Sequence, residues 1–133
     1  MAKSPFVRDL SSTTAPVAAG TDSTIPIGRA PFAGAVSGVT YTPSADITGA
    51  ATNNRRFQLI NKGQDGNGTT VVATLSFGSG TNASDFDETT IPLTATVADR
   101  SVATGDVLAW FSDSVGTGIA DPGGFVTVSI ARS

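Results

Sequence analysis

The 133-residue sequence contains no cysteine and no histidine, and its one methionine is Met1. Without thiols there are no disulfide staples, and without thiolate or imidazole the common transition-metal sites are excluded. Stability must come from packing and backbone pairing. The same two absences remove the strongest side-chain nucleophile and the commonest general base. Charged residues are also scarce, at 14%, well below the usual quarter. No stretch approaches the roughly 20 apolar residues of a membrane span. The most apolar run after the N-terminus, Ala15 to Ala19, is broken by Pro16 and is too short for a signal peptide. The expectation is a protein made in the cytoplasm and not exported by a signal peptide.

What is present is Gly, Ser, Thr and Ala, with 39% hydrophobic residues and a net charge of −3. This mixture suits a compact β protein with uncharged polar surfaces, and not a helical bundle rich in Leu, Glu and Lys. Nucleic-acid binders carry a basic face. Here the one basic cluster is Arg55-Arg56, and neighbouring residues on a strand point to opposite faces. No nucleic-acid or membrane partner is expected.

Residues 1–22 stand apart. Ser11-Ser12-Thr13-Thr14-Ala15-Pro16 has no hydrophobic period, so the composition predicts a flexible N-terminal arm followed by a β domain over 23–133. Within the arm, Lys3 and the run Pro5-Phe6-Val7-Arg8 are the candidate partner-binding residues. The alternative is a frayed terminus.

From Ser23 onward the pattern is that of an all-β chain. Thr24 to Ile27 is a short extended piece that Pro26 assigns to a sheet edge. Ala35 to Thr42 alternates, with Gly38 suggesting a bulge. In Arg56 to Ile60, Phe57 and Leu59 share one face. Asn61 to Gly68 reads as a hairpin loop leading into Thr69–Phe77. Thr90 to Val97 looks strand-like despite Pro92, Val107 to Phe111 reads as a buried strand, and Phe125 to Ile130 closes the domain. Seven or eight short strands between turn signals predict one sandwich or barrel of jelly-roll or immunoglobulin-like type, with no helix.

Catalytic constellations are thin. Lys3 and Lys62 are the only lysines that could activate a Ser or Thr, and they fall in the arm and in a turn. Asp85, Asp87 and Glu88 form an acidic loop whose simplest reading is a solvated surface; calcium is the one metal such oxygens would suit. Asn61 to Gly68 has Val72 where a calcium loop would place its closing glutamate. Trp110 and Phe111 face opposite ways on a strand, so one belongs to the core and the other to a surface. A sugar platform is the competing use. The expectation is therefore no catalytic residue, no metal and no cofactor.

Gly34-Ala35-Val36-Ser37-Gly38-Val39-Thr40-Tyr41-Thr42-Pro43, Ile47-Thr48-Gly49-Ala50, Arg56 to Gly63, Gly105-Asp106-Val107-Leu108 and Pro122 to Val128 follow a Ser/Thr/Ala-rich arm. In this layout the chain resembles the small capsid decoration (cement, or minor capsid) proteins of tailed bacteriophages, especially those of actinobacterial phages. The resemblance implies a non-enzymatic structural protein on the virion exterior. Its partners would be major capsid protein and further copies of itself, a trimer being favoured. The rival expectation is a carbohydrate-binding module of a phage tail or fibre.

Overall fold

The structure is a computed structural model and describes residues 6–133. Nine strands follow in order: β1 (Val7–Thr14), β2 (Ser23–Arg29), β3 (Gly34–Pro43), β4 (Asn54–Gly63), β5 (Thr70–Ser76), β6 (Thr89–Thr90), β7 (Ser101–Val102), β8 (Val107–Val115) and β9 (Gly124–Arg132). They build two antiparallel sheets packed face to face. One has the order β1-β9-β3-β6, with β7 also on β3; the other has the order β2-β8-β4-β5. The fold is a β-sandwich.

Alternation positions the core. Val36, Val39 and Tyr41 on β3 and Val126, Val128 and Ile130 on β9 meet Phe57 and Leu59 on β4 and Leu108 and Trp110 on β8. Four aromatic rings occupy the centre. Phe57 lies 4.6 Å from Tyr41, 5.2 Å from Trp110 and 5.3 Å from Phe77 between ring centroids. These are the tilted and edge-on geometries that aromatic quadrupoles prefer. The predicted bulge at Gly38 is present as a register shift between Val36 and Gly38. The predicted hairpin is present too, β4 and β5 pairing across the loop after Gly63.

Two stretches differ from the expectations. Thr90 to Val97 is not a strand. Only Thr89–Thr90 pair with β3, and a 3-10 turn covers Val97–Arg100. Pro92 has no N–H for a ladder, and the segment instead crosses from one sheet to the other. Ile91 donates its N–H to the Val39 carbonyl (2.9 Å). Thr74 then donates to the Pro92 carbonyl (3.0 Å), and Thr94 to that of Val72 (2.8 Å). Buried Ile91 thereby seals this side of the sandwich.

The other difference is in the expected arm. Residues 7–14 form β1, paired with β9 from Val7↔Ala131 to Thr14↔Gly124 without a break in register. The segment lacks hydrophobic periodicity because its outward positions face solvent and only Leu10 packs against the core. Backbone pairing and β-tolerant threonines form the strand.

Candidate interaction surface

The polar groups that sequence patterns passed over are inside. Arg55, on β4, has the same parity as Phe57 and Leu59 and is fully buried. Its Nε donates to the Ile119 carbonyl (2.8 Å), and its terminal nitrogens donate to the carbonyls of Thr21 (3.2 Å) and Ala18 (3.0 Å). One of them also donates to Ser112 Oγ (3.0 Å), which in turn donates to Asp121 (2.8 Å). Asp121 further accepts from the Tyr41 hydroxyl and the Gly123 N–H, both at 2.9 Å. A buried cation and a buried carboxylate are thus joined through one hydroxyl, with their other hydrogen bonds made to backbone groups and, for Asp121, to the Tyr41 hydroxyl as well.

This network fastens the β1–β2 connection to the β8–β9 loop, and Val17 adds a backbone bridge to Asp121. With Ser112 and Asp121 each 2% exposed, no substrate reaches the hydroxyl. The arrangement is structural. Burial, followed by the nearby Asp121 charge, pushes the Tyr41 phenol well above its ordinary value of 10.0. Tyr41 is the sole tyrosine. Its phenolate absorbance is therefore expected only as the protein unfolds. Because the folded state holds the proton more tightly, this contribution is intact below pH ~10 and is lost progressively as the pH rises from there through the raised folded-state value. A titration followed at 295 nm alongside circular dichroism checks this. Phenolate appearing at pH ~10 in folded protein would contradict it.

The candidate partner-binding residues fall partly within the structure. Lys3 and Pro5 lie outside the described residues. Phe6 is 50% exposed and its ring meets Phe32 edge-on at 5.4 Å. The Arg8 guanidinium lies 5.4 Å from the Phe6 centroid, and that of Arg132 lies 5.8 Å from the Phe32 centroid. Val7 beside them is exposed. Because the Phe6 carbonyl accepts the Arg132 N–H (2.8 Å), the corner is fixed to the end of β9. It presents the exposed Phe6 ring and two guanidinium groups at the surface, backed by the half-buried Phe32 ring, which packs against the core.

The outer face of the same sheet is almost uncharged. Ser11 and Thr127 share a hydrogen bond of 2.9 Å, and Ser129 donates to Asp9 (2.7 Å). On the other sheet's outer face, Arg56 pairs with Asp113 at 2.7 Å.

The remaining sequence candidates are separated. Trp110 is buried in the core and cannot serve as a sugar platform, whereas Phe111 is half-buried on the outer face. Asp85, Asp87 and Glu88 are exposed beside Phe86, and the described residues contain no group of three acidic side chains placed to hold a metal. Lys62 lies near the end of β4 and is half-buried. Asp65 caps its turn by accepting the Asn67 N–H (3.1 Å), a bond that holds its carboxyl below the usual value. No helix among the described residues is long and apolar enough to cross a membrane.

No protein-family model matches the chain, and no curated protein or solved structure shows significant similarity to it.

Proposed function

We propose that this chain is a non-enzymatic virion protein that decorates and stabilises the outer surface of a phage capsid by binding major capsid protein subunits. The observation that carries the reading is the surface corner of Phe6, Arg8, Phe32 and Arg132. Aromatic residues, phenylalanine among them, and arginine are enriched at protein–protein interfaces, where they bring large contact area and a fork of donors. The almost uncharged Ser/Thr face beside it suits a protein that stays soluble before assembly and then lies flat against a shell. Weak individual contacts suffice there where copies on the lattice are joined to one another, because joined contacts hold by avidity.

The test is electron cryo-microscopy of purified virions. Regular copies over the head, with the Phe6 corner against capsid protein, are the expected result. Copies confined to the tail, or none on the particle, would refute it. In a rebinding assay on stripped heads, Phe6→Ala/Arg8→Ala is expected to lower occupancy at least ~10-fold. Unchanged occupancy would place the contact elsewhere.

A further inference from the structure

The sheets of this sandwich end in strands of unequal protection. β2 carries Pro26, which has no N–H, and its register shifts between Pro26 and Gly28. β5 is covered by the hydrogen bonds of the Pro92–Thr94 segment. β6 and β7 are two residues each. Short strands, prolines, bulges and covering segments are the usual devices that stop a sheet from being extended by another chain. β1 has none of these four, and its charges are one of each sign, Arg8 and Asp9. It is eight residues long, contains neither proline nor lysine, and keeps one register throughout.

The direction of its free groups follows from the ladder. The Phe6 carbonyl accepts the Arg132 N–H, so Phe6 and Arg132 form a hydrogen-bonded pair. In an antiparallel ladder such pairs alternate. Arg8, Leu10, Ser12 and Thr14 therefore bond to β9, while the N–H and C=O groups of Val7, Asp9, Ser11 and Thr13 point away from it. Among the described residues these outward groups have no backbone partner. The Thr13 carbonyl receives only the neighbouring Ser12 hydroxyl at 3.2 Å.

We infer that a second copy of this chain pairs antiparallel along β1, about a two-fold axis through Leu10. The register is set by the sequence. With Leu10 opposite Leu10, Val7 of one copy faces Thr13 of the other and Asp9 faces Ser11, so every outward donor and acceptor on both copies finds a mate. Arg8 then faces Ser12, and no like charges oppose. Moving the axis to Asp9 sets the two Asp9 carboxylates against each other. Moving it to Ser11 leaves Val7 opposite Ala15, beyond the strand. Half-steps would put inward residues opposite outward ones. At the axis the two Leu10 side chains, each half-buried in its own copy, meet in the close non-hydrogen-bonded pair. An isologous contact of this kind closes at two copies. The inference does not depend on the capsid reading.

Sedimentation equilibrium of the full chain from ~1 µM to ~1 mM is the experiment, paired with concentration-dependent amide exchange. The expected result is a monomer–dimer equilibrium above the 13.3 kDa monomer mass. The amides of Val7, Asp9, Ser11 and Thr13 slow as the dimer fills. Ser11→Pro removes an outward N–H and the exposed hydroxyl contact with Thr127 but no backbone bond to β9, and is expected to abolish the dimer while leaving the β circular dichroism spectrum intact. Ser11→Asp places a carboxylate opposite Asp9 and is expected to weaken the dimer ~10-fold, whereas Ser11→Lys is expected to tighten it. A monomer throughout, a trimer, or a dimer indifferent to Ser11→Pro and Ser11→Asp would overturn the proposal. So would protection of those amides that is independent of concentration, or that appears only on adding capsid protein.

Discussion

Arg55→Ala is expected to destabilise the fold by ~3–5 kcal/mol, the range for removing one partner of a buried charged network. The loss has identifiable parts. Asp121 keeps its charge inside the protein with Ser112 no longer oriented by a cation, and the carbonyls of Ala18, Thr21 and Ile119 lose their donors. For a domain of this size the melting temperature should fall by on the order of 10–20 °C. Arg55→Lys should recover little, since an ammonium group cannot reproduce a fork that reaches several acceptors at once.

The neighbouring arginine is the control. Arg56 sits on the outer face, 40% exposed, in a pair with Asp113. Arg56→Ala should cost about 1 kcal/mol or less. Chemical denaturation of both variants checks the contrast. Equal effects would show that the buried network does not hold the β1–β2 connection in place.

The second large effect is expected at Trp110. Trp110→Ala empties the centre of the aromatic group, where the indole stacks on Tyr41 at 5.6 Å and tilts against Phe57. The expected cost is ~3–5 kcal/mol. Trp110→Phe should cost distinctly less, roughly 1–2 kcal/mol. It keeps much of the volume and removes an indole N–H that is buried without a hydrogen-bond partner. Phe111→Ala, one residue along and facing out, should lie near 1 kcal/mol. Trp110 is the only tryptophan, so its fluorescence follows the core alone. Similar losses for Trp110→Ala and Phe111→Ala would contradict the assignment of faces.

The difference between Arg55 and Arg56 also shows what was legible in the sequence. The period of two that put Phe57 and Leu59 on one face places Arg55 on that face and Arg56 on the other. The signal was present, but a charged residue at the head of an apolar alternation reads as the strand's solvated end. Its counterparts Ser112 and Asp121 come from β8 and a glycine-rich loop, and nothing local announces that three distant segments converge. By contrast, the Gly38 bulge, the edge position of β2 and the β4–β5 hairpin are matters of short-range chemistry and were readable. β1 was not, since its partner lies at the other end of the described residues and its own pattern is nearly all polar. The Phe6 corner was half legible. Phe6 and Arg8 stood out as adhesive, but Phe32 and Arg132 join them only through tertiary structure.

The pairing of β1 with β9 also bears on how the molecule is made. Translation delivers residues at roughly 5–20 per second, N-terminal end first. β1 therefore emerges early and stays without its ladder until β9 has left the ribosome. β3 likewise waits for β9, and β2 and β4 wait for β8. Neither sheet can be completed stepwise along the nascent chain. The last strands to appear are the central ones, and their arrival lets the earlier strands assemble around them.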